Sequence, residues 1–166
     1  LINAVAQVDP NLTILNFYMF TDSGTMTAAQ SSEPVLSLKG NSVYNLNPAF
    51  INGWLDAAPA TMTFVDGCEP AYSYDSELDY LRAANFIHNT ALSLIAPENR
   101  DKYKTQVQAA FAFYLDAYIN PPGSSWYIPP LNGSRLAALQ INLNDAAQAT
   151  DQYIWTWGEK YTWNRV

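Results

Sequence analysis

The 166-residue sequence holds one cysteine, Cys68, and one histidine, His88. A lone cysteine excludes an internal disulfide, and one Cys with one His cannot build a Cys/His zinc site. Charge is scarce as well: only 14% of residues are charged, against about 25% in an ordinary soluble domain. Eight are basic and 15 acidic, so 8 − 15 gives −7, and the pI is about 4.4. Such a chain lacks the clustered Lys and Arg that phosphate contacts need, so no nucleic-acid partner is expected. No apolar run reaches the roughly 18 residues of a membrane span, so no membrane partner is expected either. No P-loop, G-x-G-x-x-G or G-x-S-x-G motif occurs, so neither a cofactor nor a metal is expected. Any Ser-His or Cys-His mechanism would have to use His88, which falls in mid-helix beside Ile87 and reads as a structural or surface residue.

Apolar and aromatic side chains are plentiful. Hydrophobic residues make up 49%, enough for a core, and 7 Phe, 5 Trp and 11 Tyr bring aromatics to 14%. With so little charge, the polar surface falls to Asn, Gln, Ser and Thr. That balance suits neutral, hydroxyl-rich ligands and is common in exported proteins, which points to a secreted or periplasmic location. The opening Leu1-Ile2-Asn3-Ala4-Val5-Ala6 has no basic leader and reads as the tail of an amphipathic helix. It suggests a chain cropped from something longer, or a half-sized relative of it.

Residues 12–20 (LTILNFYMF) form a run of the kind that makes a buried strand. Residues 21–46 are polar and read as a long loop. Asn47 as N-cap and Pro48 at the first position open a helix that Pro59 stops. Residues 61–65 (TMTFV) read as a second strand. Ser76-Glu77-Leu78-Asp79 resembles a capping box, and Leu78, Leu81, Ala84, Ile87, Ala91 and Leu94 follow at helical spacing. Beyond Pro97 another helix starts from Glu98. Residues 103–119 fit a helix in part, while residues 111–119 fit equally a third strand ending near Asp116; the alternation of elements favours the strand. Ser134 caps a last helix with Leu136, Leu139, Leu143 and Ala146, and residues 153–157 (YIWTW) form a final strand.

This β-α-β-α-β-α-β order implies an α/β fold with a parallel sheet and crossover helices. About four βα units amount to half of a (β/α)8 TIM barrel, whose usual size is near 250 residues. Residues 1–166 are accordingly expected to be one half-barrel domain. Chemistry in such folds gathers where strands end. Glu69 and Asp66 follow the second strand and Glu159 the last, and these three are the candidate catalytic acids. Paired carboxyls across a cleft are the minimal equipment for cleaving a glycosidic bond. Cys68, Pro70 and Tyr72 around Glu69 suit an acid, and Lys160 beside Glu159 suits an ionised nucleophile or base. Asp22 after the first strand and Asp116 after the third are candidate substrate-binding residues. Tyr72, Trp126, Trp157 and Trp163 join them as flat rings for sugar faces. Tyr153, Trp155 and Trp157 share one face of a strand, which most often means core. The plainer alternative for each acid is a solvated or capping loop carboxylate, and Cys68 is conceivable as a nucleophile.

Cys68-Glu69-Pro70 resembles the Asn-Glu-Pro that follows a barrel strand in the large retaining clan of (β/α)8-barrel glycoside hydrolases. Trp157-Gly158-Glu159 resembles that clan's aromatic-and-carboxylate strand ends. From about Leu12 onward the chain looks like the C-terminal half of such a barrel. It also resembles uncharacterised bacterial barrel proteins with Asp-Gly-x-Glu after one strand. The resemblance implies a glycosidase acting on an oligo- or polysaccharide, with Glu69 as acid/base and Glu159 as nucleophile. Cys68 stands where the clan has Asn, and the two acids lie on the second and fourth strands rather than three apart. A half-barrel leaves edges open, so either a homodimer or a missing N-terminal half is expected to complete it. The rival expectation is a non-catalytic sugar-binding or degenerate barrel fragment.

Overall fold

The computed structural model describes residues 1–41 and 46–160. Its helices are α1 (Ile2–Val8), α2 (Ser23–Ala29), α3 (Pro34–Asn41), α4 (Asn47–Ala57), α5 (Glu77–His88), α6 (Arg100–Gln106) and α7 (Arg135–Ala149). Its strands are β1 (Thr13–Asn16), β2 (Thr63–Asp66), β3 (Val107–Tyr114) and β4 (Tyr153–Trp157). All three strand pairings are parallel, in the order β1-β2-β3-β4. The fold is α/β, with four parallel strands curled into a half-barrel. Among the described residues no helix is long and apolar enough to cross a membrane.

The curl follows from stagger. β3 uses Val107 to Ala109 against β2 and Ala110 to Tyr114 against β4, so its two neighbours are displaced along its length. A sheet closes into a barrel only with such a displacement. The central strands are buried; β1 alternates between exposed and half-buried positions, and β4 is half-buried over its first three residues and exposed over its last two. β1 and β4 each have one edge without a strand neighbour among the described residues.

Two apolar clusters hold the layers together. One packs Phe64 and Ala109 of the sheet with Phe20, Leu55, Ile87 and Tyr103. The other packs Phe111 and Phe113 with Ala83 of α5 and with Ala138 and Ala146 of α7. Tyr80 of α5 sits edge-on to Phe111 at 5.2 Å and stacked with Phe113 at 6.2 Å.

Several elements differ from their sequence expectation, for physical reasons. The first strand stops at Asn16, not near Phe20. Met19 and Phe20 are buried in a loop, and the Phe20 amide donates to the Asp66 carboxyl rather than to a strand. Apolar residues alone do not separate a strand from a buried loop whose amides are satisfied by a side chain. The polar stretch 21–46 contains helices α2 and α3. Asp22 caps α2 by accepting from the Thr25 amide at 3.0 Å, and Pro34 is the first residue of α3. Leu46, not Asn47, is the N-cap of α4. Ser76 does sit at the N-cap of α5, but its hydroxyl donates to the Asp79 carboxyl. Leu78 and Leu81 are exposed, and α5 buries Tyr80, Ala83, Phe86 and Ile87 instead. Leu136 of α7 is exposed likewise. Residues 107–114 are a strand, and Asp116 lies beyond it in a 3-10 turn.

Candidate functional site

A hollow of about 490 Å³ opens at the C-terminal ends of the strands. Eleven residues line it: Glu69, Glu159, Asp22, Tyr72, Trp126 and Trp157 from the sequence candidates, with Phe17, Tyr18, Pro70, Tyr114 and Trp155. Its volume lies in the range of small-molecule sites. Trp163 lies outside the described residues.

Asp66 and Asp116, expected to be catalytic and substrate-binding respectively, do not line the hollow. Both are fully buried and hold its rim from below. Asp66 Oδ2 accepts from the Phe20 amide at 3.0 Å. Its Oδ1 accepts from the Thr21 hydroxyl at 2.8 Å and the Cys68 amide at 3.2 Å. Burial pushes the Asp66 carboxyl above its ordinary range, opposed by these hydrogen bonds. Asp116 Oδ2 accepts from the amides of Glu159 and Lys160, each at 2.8 Å. Each buried acid thus ties down the loop that carries an acid of the hollow.

Glu69 reaches its place through a sharp corner. Cys68 takes a left-handed conformation (φ 42°, ψ 59°), and Glu69 then opens a 3-10 turn, Glu69–Ser73. The amides of Gly67 and Glu69 donate to Asn16 O at 2.7 Å and Phe17 O at 2.9 Å, clamping the corner to the loop after β1. Gly67 is required there. A Cβ would lie 2.8 Å from both Asn16 O and Trp155 Nε1. Trp155 Nε1–H donates to Gly67 O at 2.7 Å, so β4 is joined to the Glu69 corner across β3. Ala112 is the β3 residue in register with Trp155, and its small side chain leaves room for the indole.

Glu159 is oriented by two side chains. Trp157 Nε1–H donates to Oε1 at 3.2 Å, and Tyr114 Oη–H donates to Oε2 at 3.4 Å. The rings form a continuous wall. Phe17 stacks on Trp155 at 5.0 Å with planes 16° apart. Tyr72 meets Trp155 at 5.7 Å, Tyr114 at 5.6 Å and Trp126 at 6.0 Å. Burial, then Glu69, then Glu159 push the Tyr72 phenol up, so both acids act on one ring. Trp155 and Trp157, on the face of β4 expected to be core, therefore line the hollow, with Trp157 itself exposed. Tyr114 is not among the candidate site residues of the sequence, where Trp155 reads as core. The available signal was register: Tyr114 pairs with Trp157, and Trp155 shares the face of Trp157.

Cys68 is no exposed nucleophile. It is fully buried, its Sγ lies 3.6 Å from Tyr74 Oη, and burial, then Asp66, push the thiol up to about 12. His88 sits at the other end of the sheet. Its Nε2 is 3.1 Å from Asp151 Oδ2, which also accepts from the Ala109 amide. Among the described residues no group of three or more His, Cys, Asp or Glu is arranged to hold a metal ion.

Two predictions follow from these contacts. Asp66→Asn leaves at least one of the Phe20 and Cys68 amides without an acceptor, whereas Asp116→Asn keeps one oxygen for both of its amides. In urea denaturation Asp66→Asn is expected to lose about 1–3 kcal/mol more than Asp116→Asn; equal losses would refute this account of the two anchors. Because its thiolate forms only toward pH 12, Cys68 should resist iodoacetamide at pH 7–9 in the folded protein and react once guanidinium unfolds it. Rapid labelling of the native chain would show that the thiol is accessible.

No family model, curated protein or solved structure matches this chain.

Proposed function

We propose that the protein is a glycoside hydrolase cleaving an oligo- or polysaccharide with Glu69 and Glu159. The observation that carries this reading is their convergence: two acids far apart in sequence line one ring-walled hollow. Glycosidic cleavage needs a proton donor for the leaving oxygen and a second carboxyl on the opposite side of the sugar ring. Glu159, held between Trp157 and Tyr114, has the fixed orientation that a nucleophile or base requires. Glu69 is the acid in this assignment. The tyrosine and tryptophan faces supply surfaces for the C–H faces of sugar rings. An exported location, secreted or periplasmic, fits the low-charge composition and belongs to the same proposal.

The reading also asks for a cover over the open edges of β1 and β4. A two-fold axis along the barrel would set each β1 beside the other copy's β4, keep every strand parallel and close eight strands into a ring. An N-terminal half-barrel would do the same.

The acids are tested by Glu69→Gln and Glu159→Gln on a panel of aryl glycosides and oligosaccharides. Each variant should keep its circular dichroism spectrum and lose roughly 10²–10⁴-fold in kcat. Wild-type binding of sugars with no turnover would instead support a non-catalytic carbohydrate-binding fragment. Light scattering after size exclusion tests the cover: a dimer supports closure by a second copy, and a stable monomer refutes it.

A further inference from the structure

The charge inside the hollow differs from what the whole chain suggests. Composition points to neutral, hydroxyl-rich ligands, yet the lining holds three acids, Asp22, Glu69 and Glu159, and no Lys, Arg or His among the described residues. The nearby cations are engaged elsewhere. Lys160 Nζ donates to Asn120 Oδ1 at 2.9 Å. Arg135 donates to the carbonyls of Asn120 and Ile119 and lies over the Tyr127 ring.

Glycosidic cleavage uses two acids, and Asp22 is a third. One of its oxygens caps α2, while Oδ2 is buried with no hydrogen-bond partner among the described residues. That oxygen is therefore left without a partner by the described residues. The rings add a second attraction of the same sign. Tyr72, Tyr114, Trp126, Trp155 and Trp157 line the same space, and the electron-rich face of an aromatic ring attracts a cation. An acidic sugar would find only acidic and no basic side chains in the described lining, and a neutral one would leave the attraction of the acids and ring faces for a cation unused.

We infer that the hollow selects a carbohydrate bearing a positively charged amine, an amino sugar with its amino group free. This rests on the carbohydrate half of the proposed function and names the substrate class of the same site. The ammonium would sit against the ring faces within reach of the field of Asp22, leaving Glu69 and Glu159 for the bond to be cut.

The test compares three β-1,4-linked trimers that differ only at C2: glucosamine trimer, its fully N-acetylated form, and cellotriose. Binding to the full chain is read by tryptophan fluorescence, since Trp126, Trp155 and Trp157 line the site. The glucosamine trimer should bind at least about tenfold more tightly than the other two. Added salt should shrink that advantage, and Asp22→Asn, which keeps a capping oxygen, should shrink it too. Equal or tighter binding of a neutral trimer, or no binding of the glucosamine trimer, overturns the inference. The salt series on the wild type decides the matter should Asp22→Asn fail to fold. Tight, salt-sensitive binding of the glucosamine trimer with no turnover of any trimer would uphold this inference while removing the hydrolase reading.

Discussion

Two buried carboxylates govern the architecture of this site. Asp66 and Asp116 stand just beyond neighbouring strands, out of contact with the hollow, and accept amide hydrogens from the loops that form its rim. A buried amide without an acceptor is costly, so each carboxylate leaves its loop few alternatives. Asp66 joins the loop after β1 to the loop after β2, and Asp116 joins the end of β3 to the loop after β4. The result is a rim whose geometry is determined by groups that a ligand never meets.

The second constraint is steric and runs across the sheet. Trp155 extends from β4 over β3 and ends on the carbonyl of Gly67, in a space that a single extra carbon would fill. The left-handed corner at Cys68 then turns Glu69 toward the hollow. Backbone strain of this kind clusters where a side chain must be aimed. The aromatic wall is therefore part of the frame as well as a surface for ligands. Removing Trp157 or Tyr114 would take away a hydrogen bond that orients Glu159.

The parallel βα order and the last strand were legible in the sequence, because strand-like runs alternate with helical spacing and that alternation decided the ambiguous run before Asp116. Glu69 and Glu159 were legible through the strand-end rule, which needs only element order. Asp66 and Asp116 satisfied the same rule with a different outcome. The rule places an acid near the rim without saying whether it points into the hollow or back under the loops. That distinction depends on which amides lack partners, a property of tertiary structure. Helices α2 and α3 were hidden by their polarity: neither carries a continuous apolar stripe, although Asp22 and Pro34 mark their starts. In α5 and α7 the small residues Ala83, Ala138 and Ala146 face inward while Leu78, Leu81 and Leu136 face out. The inward face of α5 also carries Tyr80, Phe86 and Ile87, so it is rotated from the expected stripe rather than lost.

Two methyl groups of β3 lie beside rings of β4. In register with Tyr153 and Trp155, β3 presents Ala110 and Ala112, both fully buried. A longer side chain at Ala112 would press on the Trp155 indole, which lines the hollow, and so reshape it without replacing an acid or a ring. The shape of the hollow and the identity of the side chains that wall it are thus under separate control.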